Sequence, residues 1–458
     1  MRLKVKVCKT KPPKNIHALC YLSALYFLLS FATALPAISK QFQFVNEYGL
    51  GPSGIGMLTG IIGAPWILKP LFAMAGTEYF PIASVLAILV STTTLMPLPI
   101  SILVVLLLIN QFLVVYIDVC IDGFMVATVQ KLDAKGGLQS MTFLSKTLGS
   151  VIGFSFGAFI YHSIHDRIAF LFSAITFAIL LVLWLVSTTT SKQTYKLKNE
   201  PSSSVSKQLK DIFPWIKTNI KFFAFVAICQ ILPSMGTSVR YYMQTEMALI
   251  DLDFGLLSLC TSLGVVIATL SYTYTAPNIR YRPLLSTAIA VNCATSLTLL
   301  IYITQFGATD KHRQFIDVIA IGIIDFIDSL IENFSWMPIL VIATRISAGQ
   351  HHSLKYSILT SIMNIGSIIS VELSAMIASF LFGVHPHVHI QQQSLLWSVT
   401  ITECASIIPA IAVFWSVPAN ADTIHNSTFQ ESIESIESQE SIESIESQES
   451  EDIITVTL

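Results

Sequence analysis

The sequence predicts an all-α membrane protein with twelve transmembrane helices in two six-helix halves. The first observation is a series of apolar segments, each close to the roughly 20 residues that a helix needs to cross a hydrocarbon core about 30 Å thick. The second is composition, since the 458 residues are 53% hydrophobic and only 12% charged. The third is a long polar stretch after the sixth apolar segment, which divides the series into two equal sets.

The predicted spans must be helices, because lipid offers no partner for backbone N–H and C=O groups and a helix satisfies them internally. No soluble domain of ordinary size fits between them. The twelve spans are expected near residues 17–38, 54–76, 80–97, 99–121, 138–161, 168–187, 219–242, 254–275, 283–304, 315–344, 354–383 and 394–417. The predicted parts are a basic N-terminus (1–16), a first half (17–187), a central loop (188–218), a second half (219–417) and a tail (418–458).

Basic residues predict the orientation of the spans. Alternate connections place nineteen Lys and Arg on the side of the N-terminus and four on the other, namely Lys40, Arg167, Lys311 and Arg313. Because basic residues are retained in the cytoplasm, both termini and the central loop are expected there. The first apolar segment is too long for the core of a signal peptide and is interpreted as a retained helix. We expect a multi-pass protein of the plasma membrane.

The tail differs in composition from the rest of the chain. It contains ten acidic residues and no Lys or Arg, and from Glu431 it repeats ESIESIESQ twice. Such a polar segment cannot bury a core, so disorder is predicted. Docking of a basic cytoplasmic partner is the alternative.

Carboxylates within the spans are the first candidate functional groups, because a charge in the bilayer is costly and usually faces a bundle interior. Asp118 and Asp122 are four residues apart and share one helix face. Two carboxylates that repel each other suit proton coupling or gating; the alternative is pairing with Lys131 or Lys135 at the cytoplasmic end of the helix. A second acidic stripe is predicted to serve coupling or substrate binding and consists of Asp325, Asp328 and Glu332.

Three cations within or at the edges of spans could bind an anionic substrate: Lys69, Lys146 and Arg240. Trp66 precedes Lys69 by three residues, and Asp325 completes the predicted substrate-binding set. The alternative is that the lysines pair with the buried acids, while Arg240 reaches the outer membrane face.

Helix-breaking and small residues mark two further spans. Pro65 and Pro70 are expected to kink the second span. Gly149, Gly153 and Gly157 are spaced by four in the fifth span and are interpreted as a surface for close helix packing.

The two halves share weak internal similarity. Gly56 lies nine residues after Glu47, and Gly255 lies nine residues after Glu246. Carboxylates also recur in the fourth and tenth spans, which correspond in the two halves. Such repeats are typical of secondary transporters with a substrate site between their halves.

Several segments resemble the folate–biopterin transporter family over about residues 20–415. Residues 60–72 read GIIGAPWILKPLF, residues 118–126 read DVCIDGFMV and residues 137–149 read GLQSMTFLSKTLG. In the second half, Tyr241-Tyr242, Trp336-Met337-Pro338 and Asn364-Ile365-Gly366 follow in the expected order. The resemblance implies the major facilitator fold and the carriage of pterin-like compounds.

The predicted function is therefore secondary transport of a small organic solute, in particular a folate- or pterin-like compound, by alternating access with proton symport. One alternative is a carrier of another solute, such as a nucleoside or an organic anion. Another is a receptor or scaffold that does not transport. The chain shows no phosphate loop or HExxH motif, so an enzyme is not expected. Its seven cysteines form no CxxC pair, and we expect no metal, no cofactor and no nucleic-acid partner.

Overall fold

A computed structural model describes residues 16–132, 137–164, 167–190, 205–231, 236–275, 281–305, 311–347, 351–382 and 392–405. Within these ranges all regular structure is helical. Most of the predicted basic N-terminus, residues 191–204 of the central loop and the acidic tail lie outside the described residues. The end of the twelfth predicted span, beyond residue 405, lies outside them as well.

The first half comprises eight α-helices, because two of its spans are interrupted. The helices are α1 (Ile16–Ala34), α2 (Ala37–Phe42), α3 (Pro52–Gly63), α4 (Lys69–Ala75), α5 (Phe80–Thr93), α6 (Ile100–Leu132), α7 (Gly137–Ser163) and α8 (Ile168–Thr190). A π-helix, Gln43–Glu47, continues α2, and a 3₁₀ helix, Ala64–Leu68, joins α3 to α4.

The described part of the second half contains seven α-helices. They are α9 (Val205–Ile231), α10 (Gly236–Thr245), α11 (Asp251–Thr275), α12 (Tyr281–Gln305), α13 (Lys311–Ile346), α14 (His352–Phe382) and α15 (Gln392–Ala405).

Helices occupy all twelve predicted positions within the described ranges, and nine helical stretches there are long and apolar enough to cross a membrane. The third predicted span corresponds to the shorter apolar helix α5. The tenth corresponds to α13, which carries several charged residues, and only part of the twelfth is described. The helical membrane class is confirmed, while the full count of twelve crossings stays a prediction.

The first helical stretch is longer than the span predicted from the sequence. Helix α1 ends before Pro36, but the chain resumes as α2 immediately afterwards and remains helical to Glu47. A proline fits at such a restart because its missing N–H would have no helical partner there. Lys40, which was expected in an outer connection, lies in α2, within the helical stretch Leu19–Glu47 that is long and apolar enough to cross a membrane.

Helices contact one another both within and between the predicted halves. Helix α1 packs on α6, α7 and α8, whereas α13 packs on α11 and α12. The halves meet where α7 contacts α11 and where α3 contacts α14. These are contacts of the fifth with the eighth span and of the second with the eleventh. Exchanging the halves converts one pair into the other, so the interface has approximate two-fold symmetry.

The glycine stripe of α7 lets this helix approach α1 closely. A methyl group added at Gly153 would lie 2.9 Å from the carbonyl oxygen of Phe31 and 2.8 Å from Cβ of Ala34. Gly149 and Gly157 also face carbonyl oxygens of α1 and the turn that follows it. The stripe therefore serves helix packing, as its spacing predicted.

Apolar clusters at both ends of the bundle contain residues of both halves. One cluster includes Tyr26, Phe124 and Leu359. The other includes Phe42 and Phe254, whose rings meet edge to face at 5.6 Å. Residues of these clusters also line the cavities of the molecule.

Candidate functional site

Four charged side chains form a compact network, here called the lysine–aspartate cluster: Lys69, Asp118, Asp122 and Lys146. The Lys69 ammonium donates to Oδ2 of Asp118 at 2.5 Å and to Oδ2 of Asp122 at 3.0 Å. Lys146 donates to the remaining oxygen of Asp118 at 3.1 Å. Both oxygens of Asp118 are thus occupied by lysines from α4 and α7, which supports the internal pairing that the sequence left open.

The interrupted second span places Lys69 in this network. The 3₁₀ helix has Pro65 in its first turn, and α4 begins at Lys69 with Pro70 in its first turn. Because prolines lack an N–H, carbonyl groups at this break lose helical partners. Asn364 of α14 donates its side-chain amide to the carbonyl of Trp66 at 3.3 Å, so the break is bonded to the opposite half.

The members of the cluster differ in their solvent exposure. Lys69, Asp118 and Asp122 are 4%, 0% and 6% exposed. The side chain of Lys146 is 38% exposed. The two positive and two negative charges balance, and balance is needed because an unpaired buried charge is strongly destabilising. Lys146 is the lysine of this cluster that a solute can reach with the least rearrangement.

A cavity of about 170 Å³ adjoins the cluster and is lined by both halves. Tyr26 donates its hydroxyl to Oδ1 of Asp122 at 2.7 Å, and Tyr356 of α14 faces the same space. The Lys69 ammonium lies 5.0 Å from the centre of the Trp66 ring, a cation–π distance. The cavity therefore combines aromatic faces, hydroxyl groups and a half-exposed cation.

The second acidic stripe lines a different cavity of about 290 Å³. Asp325, Asp328 and Glu332 of α13 all face it, so they share one helix face as predicted. Thr295 donates its hydroxyl to Asp328. Arg240 of α10 lines this cavity and is exposed. The predicted substrate-binding residues are thus divided between two cavities.

Polar contacts at the far end of the bundle join the halves. His162 of α7 lies 3.1 Å from Asp251 of α11, and Gln244 donates to Asn46 at 3.4 Å. Within the first half, Arg167 pairs with Glu47 at 2.5 Å. Among the described residues, no group of three His, Cys, Asp or Glu side chains could hold a metal ion.

Sequence reasoning missed the aromatic hydroxyl groups around the cluster. Tyr26 lies within the apolar run of the first span and carries no local signal of its role. Tyr356 follows Lys355 in α14, and nothing in its neighbourhood relates it to Asp122. The series of apolar segments indicates which parts of the chain cross the membrane, but it does not indicate which helix faces contact one another.

The fold is the major facilitator fold of membrane transporters. The structure of a D-xylose–proton symporter matches with a TM-score of 0.64 and 13% identity, covering 88% of this chain and 98% of that one. The structure of a nucleoside transporter matches with a TM-score of 0.59 and 13% identity, covering 88% of this chain and 99% of that one.

The chain belongs to the BT1 family, whose sequence profile matches residues 30–435. A "Folate-biopterin transporter" of Synechocystis is 24% identical over 436 residues, which cover 89% of this chain and 83% of that protein. "Folate transporter 1" of Plasmodium falciparum is 30% identical over 186 residues, or 39% of this chain and 35% of that one. The resemblance seen in the motifs is confirmed.

Proposed function

We propose that this protein is a secondary transporter that moves folate- or pterin-like compounds by alternating access. The observation that carries the proposal is a buried, charge-balanced cluster beside a cavity lined by both halves of a major facilitator fold. Membership of the BT1 family and the names of the two relatives supply the solute class.

The substrate contacts follow from the chemistry of the cavity walls. A planar pteridine ring stacks on Trp66, because flat aromatic groups pack well face to face or offset. Lys146 offers its half-exposed ammonium to an anionic or carbonyl group of the solute. Arg240 and Asp325 line the second cavity, where they could form hydrogen bonds with polar groups of the solute.

Proton coupling is assigned to the carboxylates that share Lys69. A proton on Asp122 would remove one of the two charges that hold the Lys69 ammonium and would change the bond to Tyr26. Such a change at a contact between helices biases a two-state element. Asp328 and Glu332 are the second candidates for coupling or gating, because they line the other cavity.

Alternating access requires the halves to separate at one end at a time. At one end, the contacts of His162 with Asp251 and of Asn46 with Gln244 must break. At the other, packing of Tyr356 and Leu359 against the first half must open. The symmetric interface allows both motions to use equivalent helix pairs.

We place the protein in the plasma membrane with both termini in the cytoplasm, following the asymmetry of basic residues. The acidic tail would then face cytoplasmic partners with basic surfaces. Transport itself involves the small-molecule solute, the coupled proton and the lipid bilayer.

The test is uptake by cells that express the chain, with labelled folate, biopterin and nucleosides supplied in parallel. We expect uptake of folate or biopterin above that of empty-vector cells. Uptake of nucleosides alone would favour the alternative carrier. Transport lost on deletion of residues 431–458 from an otherwise well-expressed chain would favour a scaffold that depends on its tail.

A matched pair of tryptophan variants tests the site. Trp66→Ala should lower uptake of the pterin solute, since it removes the aromatic wall of the cavity. Trp397→Ala is the control, because Trp397 is 59% exposed on α15 and lines none of the cavities described above. Equal uptake by the two variants would exclude Trp66 from the substrate site.

A further inference from the structure

We infer that a third cavity, between α2, α3 and α10, binds the carboxylate end of the transported solute. This inference rests on the proposed function and adds an anion subsite to it. The cavity has a volume of about 280 Å³ and contains Lys40 and Arg240, and it is here called the Lys40–Arg240 cavity. Lys40 was not among the residues that the sequence indicated for substrate binding.

The lining of this cavity suits an anion. Besides the two cations, its hydrogen-bonding side chains are Gln41, Thr59, Thr237, Tyr241 and Gln244. None of the described residues that line it is an aspartate or a glutamate. Guanidinium and ammonium groups form the strongest hydrogen bonds with carboxylates, and amide and hydroxyl groups can complete the shell.

Charge balance distinguishes this cavity from the other two. The lysine–aspartate cluster pairs two lysines with two aspartates. Among its described lining residues, the cavity of Asp325, Asp328 and Glu332 has three acids and a single cation, Arg240. Since like charges repel over these short distances, an anionic group is favoured in the Lys40–Arg240 cavity over the acidic one.

The two cations come from opposite halves of the molecule. Lys40 lies on α2 of the first half and Arg240 on α10 of the second. A carboxylate bound between them would attract both. Binding of an anionic solute therefore favours the state in which these helices are close.

Folate and biopterin differ at the group that this cavity would recognise. Folate carries a glutamate with two carboxylates, whereas biopterin carries only a neutral dihydroxypropyl side chain. The subsite should therefore act on folate-like solutes and leave neutral pterins largely unaffected. A probe that contains only the anionic part, p-aminobenzoyl-glutamate, isolates it from pteridine recognition, and the diamide of that probe is the neutral control.

The experiment measures binding of p-aminobenzoyl-glutamate to the purified full chain in detergent or nanodiscs. The parent should bind the dicarboxylate at least about tenfold more tightly than the diamide, in keeping with the strength of charge-assisted hydrogen bonds. Lys40→Gln should raise the Kd at least about tenfold, and Lys40→Arg should keep it near the parent value. Lys221→Gln is the matched control, because Lys221 is exposed on α9 and does not line the cavity.

A second variant keeps the test decisive if Lys40→Gln does not fold. Thr59 lines the cavity, is exposed and bonds its hydroxyl to the carbonyl of Ile55 in its own helix at 2.8 Å. Thr59→Asp should therefore fold and should weaken binding of the dicarboxylate, because it places a negative charge beside Lys40 and Arg240. Thr59→Ser is its neutral counterpart and should bind the dicarboxylate more tightly than Thr59→Asp does.

The outcomes separate this inference from the proposed function. Equal binding of dicarboxylate and diamide by the parent would overturn the subsite. So would parent-like binding by Thr59→Asp or by folded Lys40→Gln. If binding follows the expectation but cells accumulate neither folate nor biopterin, the subsite stands and the proposed solute class fails. If transport occurs and Lys40→Gln reduces uptake of folate and biopterin equally, the carboxylate assignment is wrong.

Discussion

Lys69 holds two carboxylates that would otherwise repel each other. Asp118 and Asp122 both lie within 3.0 Å of its ammonium, and all three side chains are almost fully buried. Each partner is therefore stabilised by the others, and loss of one leaves a buried charge without balance. Lys146 contacts only Asp118 within the cluster, and its side chain is partly exposed. It therefore contributes less than Lys69 to the stability of the folded protein.

The first prediction is that Lys69→Ala lowers the stability of the folded protein by about 3–5 kcal/mol. Lys146→Ala should cost clearly less, because Asp118 would keep Lys69 and solvent can reach the site. Thermal unfolding of purified variants measures the difference. If Lys69→Ala unfolds at the parent temperature while uptake falls, Lys69 acts on the substrate rather than on the fold.

The second prediction concerns proton coupling at Asp122. Asp122→Asn should flatten the dependence of uptake on external pH, while substrate exchange between the two sides persists. Asp317→Asn is the matched control, since Asp317 is also buried and accepts a tyrosine hydroxyl, that of Tyr302, at 2.8 Å. The measurement is the initial rate of uptake at a series of external pH values.

Two results would change the assignment of the coupling site. If Asp122→Asn transport remains as pH-dependent as the parent, the acids of the second cavity become the next candidates, namely Asp325, Asp328 and Glu332. If the parent shows no pH dependence, symport with protons is wrong, and Asp118 and Asp122 are structural or gating groups.

At the scale of helices, the first half combines a closely packed helix pair with a span that is interrupted. Helix α7 uses small residues to bring its backbone against α1. The second span instead breaks into α3, a 3₁₀ helix and α4, which turns Lys69 toward α6. Close packing holds α1 against α7, and the break provides polar groups at the interface between halves.

The third prediction tests the packing role of the α7 glycines. Gly153→Ala should destabilise the protein by about 1–3 kcal/mol, because its methyl group overlaps the backbone of α1. Gly54→Ala is the control in α3, where the nearest atom would be Leu50 Cδ2 at an ordinary 3.6 Å. Unfolding of the detergent-solubilised variants compares them, and equal stability would argue against close contact between α1 and α7.

At the scale of the whole molecule, the contacts between halves come in symmetric pairs. The pairing of α7 with α11 and of α3 with α14 leaves polar cavities between the halves. Lys40 lies in a helix and lines one of these cavities. The basic residues of the other connections keep the asymmetry from which the orientation was predicted.

The fourth prediction is that the C-terminus faces the cytoplasm. A protease site at the C-terminus should be protected in intact cells, while a site inserted after Pro97, in the exposed turn between α5 and α6, should be cut. Cleavage of the terminal site with intact cells would contradict this orientation, as would a glycan on Asn426, which begins an Asn-Ser-Thr glycosylation sequon in the tail.

Much of the architecture was predictable because hydropathy is a local property. Each apolar segment indicates its own crossing, and the bounds of α7, α8 and α14 lie within a few residues of those expected, whereas α6 continues well beyond its expected end at residue 121. The positions of the acids were also readable from spacing alone, since Asp118 and Asp122 must share a helix face. The motifs from residue 60 onward led to the family without any tertiary information.

The sequence by itself determined the helical class, the two sets of spans, the family and the chemical groups available within the membrane. Only the tertiary structure decided which of these groups meet. It placed Lys69 between two carboxylates, Tyr26 on Asp122, and Lys40 in a cavity with Arg240. The reason is physical: a helix repeats every 3.6 residues, but the partner of each face depends on packing between segments far apart in the chain.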